Sequence, residues 1–286
     1  MNETQLEILN LAATGDLHGV QQALRSGIPP QTCDDFGRTA LHEAAAAGHD
    51  QILRVLLEAG ANPNSACLDG WTPLCEAAKF SRSQTVLLLL NHGAKIGLPR
   101  PLSAYNAALR SNADAETFRA LLAGMTPGPP DKEGKRIIDA LIRKSRADVV
   151  SIFLQSGASA QINSEDECPL IRLALQHSSS ETVRVLLDEF ARKISPQALA
   201  DVLSLACNRA GERPGNSSVD IIQQLLLAGA NPHLPDSTGS TPLQYACLNG
   251  QFGLLDLLIG KGDMPKEVYG WVMEGAFMAS HLSIHD

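Results

Sequence analysis

Aromatic residues are scarce in this chain of 286 residues, since Phe, Trp and Tyr together make up 4% of it while hydrophobic residues make up 44%. An apolar content that rests on Ala and Leu favours small, closely packed helices over a β-sandwich. It also suffices for a sizeable core, which argues against a mainly disordered chain. A basic excess is absent as well, because 23 basic and 31 acidic side chains give a net charge of −8. We therefore expect no nucleic-acid binding, since neutralising phosphates requires a basic face.

Signals for secretion or membrane insertion are also missing. The chain starts Met-Asn-Glu-Thr-Gln, without the basic and then apolar segments of a secretory signal peptide. The longest apolar run, Val86 to Leu90, has five residues, far fewer than the roughly 20 that a bilayer span requires. These absences predict a protein of the cytoplasm or nucleus that does not insert into a membrane.

Neither cysteine pairs nor the common catalytic motifs occur. The six cysteines are scattered, and none forms a Cys-x-x-Cys pair. Cys207 and Cys247 lie in apolar helical patterns, so we expect buried thiols instead of a disulfide framework or a metal site. There is no His-Glu-x-x-His, Gly-x-Ser-x-Gly or P-loop sequence. This pattern favours a protein that is not an enzyme and that holds no cofactor and no metal.

What the chain does contain is a motif that recurs with a fixed period. Residues 37–42, Gly-Arg-Thr-Ala-Leu-His, return 33 residues later as Gly-Trp-Thr-Pro-Leu-Cys at 70–75, and again as Gly-Ser-Thr-Pro-Leu-Gln at 239–244. A Leu-Leu pair followed by Gly-Ala closes repeats at 56–61, 89–94 and 226–230. A period of this length is typical of repeat proteins.

The chemistry of one repeat predicts a pair of helices. Thr72 can cap a helix that starts with Pro73, where the missing N–H needs no partner. A second, more apolar helix over 84–90 can end at Gly93 in the left-handed conformation. Neither helix could bury its apolar face alone, so the repeats are expected to stack.

The pattern resembles the ankyrin-repeat family. Residues 34–61 match its Asp-x-x-Gly-x-Thr-Pro-Leu-His and Leu-Leu-x-x-Gly-Ala positions almost throughout, and the repeats that start at Cys67 and Asp236 match well. The resemblance implies an all-α solenoid of about eight helix-turn-helix repeats joined by β-hairpin-like fingers. We predict a single domain over 1–286, with a capping repeat at 1–33, two regular repeats at 34–98, degenerate repeats at 99–235, a regular repeat at 236–263 and a capping helix at 264–286.

The resemblance also implies a binding surface, because fingers and first helices form the concave side with which family members usually bind proteins. We carry the family's variable positions over to three repeats. In order along the chain they are Asp35, Phe36, Arg38, Leu68, Asp69, Trp71, Lys79, Phe80, Lys132, Lys135, Arg143 and Lys144.

Two features of this set have alternative interpretations. Phe36, Trp71 and Phe80 form either an aromatic anchor for a partner or a contact that packs one finger on the next. The basic stretch 132–146 precedes an acidic segment, 165–167, by one period. We expect either weak neutralising pairs between two fingers or a bipolar docking site that steers a charged partner.

The histidines do not suggest a metal site. His42 occupies the family position at which the imidazole ties the start of a helix to the hairpin. Cys75 lies one repeat later, and a stack spacing of roughly 10 Å is too long for both side chains to bind one zinc ion.

The sequence therefore predicts a non-enzymatic scaffold or adaptor, a monomer that binds a protein partner on its concave face. The alternative is an enzyme or small-molecule-binding protein with a pocket in the degenerate repeats 101–231, lined by Tyr105, Asn106, Asp139 or Arg172. A third hypothesis is that the chain is the repeat portion of a larger protein.

Overall fold

The computed structural model describes most of the chain, namely residues 3–96, 103–124, 132–156, 164–177, 180–191, 193–212, 216–259 and 270. Within these ranges the backbone forms sixteen α-helices and no β-strand, which confirms the predicted all-α class. None of the described helices is both long and apolar enough to cross a membrane. Nearly all of the predicted capping helix 264–286 lies outside the described residues.

The chain divides into two compact units, which we describe separately. The N-terminal unit comprises Met1–Ile137 with Gln155–Ala158, and the C-terminal unit comprises Ile138–Leu154 with Ser159–Asp286. The N-terminal unit contains α1 (Glu3–Thr14), α2 (Leu17–Arg25), α3 (Ala40–Ala47), α4 (Asp50–Glu58), α5 (Pro73–Lys79), α6 (Ser83–Asn91), α7 (Ala104–Ser111) and α8 (Ala115–Ala123). The next helix, α9 (Lys132–Arg143), starts in this unit and ends in the other. The remaining helices are α10 (Ala147–Gln155), α11 (Ser164–Gln176), α12 (Ser180–Phe190), α13 (Pro196–Glu212), α14 (Asn216–Leu227), α15 (Pro242–Leu248) and α16 (Phe252–Ile259).

Each unit is built from two layers of helices. In the N-terminal unit, α1, α3, α5 and α7 pack side by side in one layer, and α2, α4, α6 and α8 form the other. In the C-terminal unit, α11, α13 and α15 form one layer, and α12, α14 and α16 form the second. One helix of each of these repeats lies in each layer, which is the predicted arrangement of an α-solenoid.

The helices of the regular repeats begin and end where the sequence predicts. Thr72 caps α5, since its Oγ1 accepts a hydrogen bond from the Cys75 N–H (3.3 Å), and Pro73 is the first helical residue. Gly93 follows α6 with a φ of +83°, which glycine adopts without strain. The predicted cap, proline and terminating glycine are therefore confirmed.

The core alternates small and large buried residues. In α3, Ala44 and Ala45 are fully buried, and their small side chains let neighbouring helices approach closely. In α4, Ile52, Leu53 and Leu56 are at most 2% exposed. Burial of one such side chain contributes about 1.5–3 kcal/mol. These apolar side chains are covered by helices of adjacent repeats. Contacts between repeats therefore contribute more to the stability of the fold than contacts within one helix.

The prediction of fingers is wrong for two segments, both of which are helical. The segment after residue 131 and the acidic segment 165–167 are not hairpins, because α9 begins at Lys132 and α11 begins at Ser164. Both segments lack the Gly-x-Thr-Pro sequence that ends a finger and starts a helix at Thr72. Without that cap and proline, nothing in the local sequence delays the helix. In α11, Pro169 consequently lies inside the helix and not at its first position.

Replacing Thr72 by alanine is expected to lower the free energy of unfolding by about 1 kcal/mol, because the Cys75 N–H loses its acceptor. Urea unfolding followed by circular dichroism measures this change. Thr72→Ser retains the hydroxyl and serves as the control. Equal stability of the alanine variant and the unaltered chain would contradict the capping role.

Candidate protein-binding surface

The fingers of the N-terminal unit are held by their backbones. The Cys67 N–H donates to the Trp71 carbonyl (2.9 Å) and closes one finger, and an equivalent bond closes the finger before it. The two fingers are joined where the Leu68 N–H donates to the Phe36 carbonyl (2.8 Å). The fingertips are therefore fixed without any contribution from the side chains of Phe36 and Leu68.

Those side chains are exposed together with a third large apolar residue. Phe36 is 68% exposed, Leu68 is 78% exposed, and Phe80, directly after α5, is 46% exposed. Asp35 and Asp69 beside them on the fingertips are also exposed. We call the first eight predicted residues the finger surface: Asp35, Phe36, Arg38, Leu68, Asp69, Trp71, Lys79 and Phe80. All eight belong to the N-terminal unit.

Lys79 connects the aromatic residues of the finger surface. Its Nζ lies 5.0 Å from the centroid of the Trp71 ring and 4.9 Å from that of the Phe80 ring. Cation–π contacts at such distances contribute about 0.5–1 kcal/mol at an exposed site. Trp71 is half-buried, whereas Phe36 and Phe80 are exposed. Trp71 thus fits the packing interpretation better than the other two rings do.

Sequence reasoning missed two carboxylates behind this surface. Glu43 and Glu76 occupy the same position of α3 and α5, 33 residues apart, and that spacing was the available signal. Glu43 pairs with Arg38 (3.0 Å), and burial raises the pKa of Glu43 although Arg38 opposes the shift. Glu76 is 7% exposed, and the Lys79 ammonium lies 3.8 Å from its Oε2. Acidic and apolar groups therefore share this part of the N-terminal unit.

His42 has the structural role that the sequence predicts. Its Nδ1 accepts a hydrogen bond from the Thr39 N–H (3.1 Å), so Nε2 carries the proton and donates to the Trp71 carbonyl (3.0 Å). The side chain is fully buried, and this burial lowers the pKa of His42. One imidazole thus caps α3 and holds the finger of the next repeat.

Cys75, Cys207 and Cys247 are buried free thiols. Burial raises the pKa of Cys75 and raises that of Cys207 to about 12, so both stay protonated and unreactive at neutral pH. Within the described residues, no group of three or more His, Cys, Asp or Glu side chains could hold a metal ion.

The second predicted set, Lys132, Lys135, Arg143 and Lys144, lies elsewhere. Lys132, Lys135 and Arg143 are on α9, and Lys144 follows that helix, so none of them is on a finger. Lys135, Arg143 and Lys144 are exposed, whereas the side chain of Lys132 is outside the described part. The side chains of 165–167 are outside it as well, so their pairing with the basic stretch stays a prediction.

Arg172, one of the four residues predicted to line a ligand pocket, borders a pocket among the described residues. This pocket has a volume of about 170 Å³ and lies in the C-terminal unit. Tyr105 on α7 is 3% exposed and belongs to the core of the N-terminal unit. Asn106 also lies on α7, and Asp139 lies on α9.

Comparison with known proteins identifies the class. Residues 9–100 match the family model of ankyrin repeats in three copies, and residues 208–259 match that of ankyrin repeats in many copies. Together the two matches cover about half of the chain, one at each end of the repeat array. The chain belongs to the ankyrin-repeat family, as the sequence motif indicates.

Individual relatives resemble the chain over parts of their own length. The E3 ubiquitin-protein ligase KEG of Arabidopsis thaliana is 25% identical over 89% of this chain and 16% of the ligase. An ankyrin repeat-containing protein of Treponema pallidum is 29% identical over 44% of this chain and 41% of that protein. An ankyrin repeat-containing protein of Schizosaccharomyces pombe is 38% identical over 22% of this chain and 31% of that protein. The chain thus spans less than half the length of each of these relatives.

Proposed function

We propose that the chain is a non-enzymatic protein-interaction scaffold or adaptor that binds a partner protein through its finger surface. The observation that carries this proposal is the exposure of Phe36, Leu68 and Phe80 on consecutive repeats. Clustered large apolar side chains on a soluble surface mark interaction sites, and aromatic residues dominate the energetics of many interfaces.

The rigidity of the surface supports the same proposal. The backbone bond between Leu68 and Phe36, together with the His42 imidazole, connects the two fingers before any partner arrives. A preorganised surface loses little conformational freedom on binding, so more of the contact energy contributes to affinity.

The family match supports a binding role. The chain contains ankyrin repeats, which generally serve as protein-interaction modules, and two of the relatives are named for such repeats. The ligase activity in the name of the plant relative belongs to a protein of which this chain spans 16%. We therefore propose a binding role in the cytoplasm or nucleus, with the chain acting as a monomer or as the repeat portion of a larger protein.

The finger surface is tested by replacing Phe36, Leu68 and Phe80 with alanine in one variant. We expect at least a tenfold loss in the amount of each specific partner captured from the native cell, because truncating one or two interface anchors costs about 1.4 kcal/mol or more. Quantitative mass spectrometry after affinity capture measures the loss.

The matched control is Leu227→Ala, which removes a side chain that is 82% exposed on α14 of the C-terminal unit. This control should capture the same partners as the unaltered chain. Identical capture by the triple variant, with the fold intact by circular dichroism, would remove the finger surface from consideration.

A further inference from the structure

The pocket in the C-terminal unit lies beside the layer formed by α11, α13 and α15. It is bordered by α11, by one face of α13, by the finger that starts at residue 236 and by α15. Its volume of about 170 Å³ corresponds to a single side chain rather than to a drug-sized ligand. The groups that matter for its chemistry are Arg172, Asp201, Ser204, Asp236 and Tyr245.

Ser204 is the first sign that the pocket is a binding site. This residue is 2% exposed, and its Oγ has no hydrogen-bond partner among the described residues. A serine inside a helix commonly satisfies its hydroxyl on a backbone carbonyl of the preceding turn, but Ser204 does not. A buried hydroxyl without a partner is unfavourable by about 1–3 kcal/mol, and a bound group with a donor would satisfy it.

The second sign is a pair of carboxylates that the fold holds in place. Asp201 Oδ1 accepts hydrogen bonds from the Ser237 N–H (3.1 Å) and from Gln197 Nε2 (3.3 Å). Its Oδ2 has the longer contact with Arg172 Nη2, at 3.4 Å. One oxygen therefore anchors the carboxylate, and the other has only a weak, partly exposed ion pair.

Asp236 is the second carboxylate. Its Oδ1 accepts hydrogen bonds from the N–H groups of Thr238 (2.8 Å) and Ser240 (3.1 Å). Partial desolvation raises the pKa of Asp236, but the bonds from Thr238, Ser240 and Tyr245 outweigh this effect and lower it. Asp236 is therefore ionised at neutral pH.

The charges decide what kind of group fits. The pocket contains two carboxylates and one guanidinium, and the guanidinium of Arg172 is 47% exposed. An anion would meet two like charges for one opposite charge. A cation finds the carboxylates of Asp201 and Asp236, and Ser204 and Tyr245 border the same pocket.

We propose that this pocket binds the guanidinium group of an arginine side chain presented by a partner protein. A planar guanidinium has five N–H donors, which suit two carboxylates and one hydroxyl better than the compact ammonium of lysine does. The site belongs to the C-terminal unit and does not depend on the finger surface of the N-terminal unit.

The test uses the full chain, labelled with ¹⁵N, and four probes observed by NMR. The probes are the peptides acetyl-Gly-Arg-Gly-amide, acetyl-Gly-citrulline-Gly-amide and acetyl-Gly-Glu-Gly-amide, and free arginine. We expect saturable shifts at the Ser204 and Ser237 amides with the arginine peptide, and at least tenfold weaker binding of the neutral citrulline and acidic peptides. Free arginine should bind no more tightly than the arginine peptide, because the proposed site recognises only the side chain.

Two variants and one control complete the test. Asp201→Asn keeps the acceptor for the Ser237 N–H but removes the charge, so binding should weaken at least fivefold. Ser204→Ala should weaken binding without lowering the urea midpoint, since the hydroxyl has no partner to lose. Asp188→Asn, which neutralises a carboxylate 72% exposed on α12, should leave binding unchanged.

Several results would overturn the proposal. These are equal binding of the citrulline peptide, tighter binding of the glutamate peptide, binding of free arginine more than tenfold tighter than the peptide, or no saturable shift with any probe. A Ser204→Ala variant that binds normally would also exclude the hydroxyl from the site.

Discussion

Replacing Phe118 by alanine is expected to lower the free energy of unfolding by about 3–5 kcal/mol, which is a large part of the stability of a typical domain. Phe118 lies on α8 and is 1% exposed, and α8 packs on α6 and α7. Removing the ring loses its burial and leaves a cavity that stacked helices can only partly close. Urea unfolding followed by circular dichroism would show this as a clear decrease in the midpoint.

The matched control for this variant is Phe36→Ala. The same ring is removed, but Phe36 is 68% exposed, so the free energy of unfolding should change by no more than about 0.5 kcal/mol. A similar loss in both variants would contradict the assignment of Phe36 to the finger surface. The comparison also shows whether a loss of partner capture in a Phe36 variant is caused by weaker binding or by unfolding of the chain.

The regular repeats were predictable because short-range chemistry determines them. Thr72 and Pro73 start α5, Gly93 follows α6, and each effect acts within one turn of the chain. The role of His42 was predictable in kind, since the motif places it three residues after Thr39. Its second hydrogen bond, to the Trp71 carbonyl, spans 29 residues and follows from the stacking of repeats.

The degenerate repeats were harder to predict, because they lack the residues that start and end the helices of the regular repeats. Lys132 and Ser164 start helices where fingers were predicted, and neither segment contains the Thr-Pro pair that would mark a boundary. Fingers were predicted for these two segments only by analogy with the regular repeats. In the structure both segments are helical, even though α11 contains Pro169.

The pocket residues could not have been assembled from the sequence pattern. Arg172 and Asp201 are separated by 29 residues, and the contact between Asp201 and Ser237 spans 36, so neither pair keeps the period of 33. Whether the Ser204 hydroxyl has a hydrogen-bond partner depends on the orientation of the side chain and on its neighbours. The repeat motif encodes the helices and their caps, but not the contacts that side chains outside the motif make between repeats.

Replacing His42 by alanine is expected to lower the free energy of unfolding by about 2–4 kcal/mol. The change removes a fully buried side chain and leaves the Thr39 N–H and the Trp71 carbonyl without their partner. His42→Gln is the matched variant, because Gln244 makes the same capping bond in another repeat, accepting at Oε1 from the Thr241 N–H (2.7 Å). Glutamine should therefore restore most of the capping contribution that alanine loses.

Comparison of the unaltered chain with His42→Gln also gives a prediction about the pH dependence of stability. Burial lowers the pKa of His42 below its ordinary value of 6.5, so the folded chain resists a proton that the unfolded chain accepts. As the pH falls below 6.5, the unfolded state binds more protons, and stability decreases by at most about 1.4 kcal/mol per pH unit until the lowered pKa is reached. Protonation also makes Nδ1 a donor, which cannot accept from the Thr39 N–H.

His42→Gln removes this titration and keeps the other histidines and Glu43. The difference in unfolding free energy between the two proteins should therefore be constant above pH 7 and should shift in favour of the glutamine variant between pH 6.5 and 5.5. Urea unfolding at four or five pH values measures it. A difference that stays constant over the whole range would mean that His42 titrates alike in the folded and unfolded chains, and that its imidazole does not depend on staying neutral to hold the Trp71 finger.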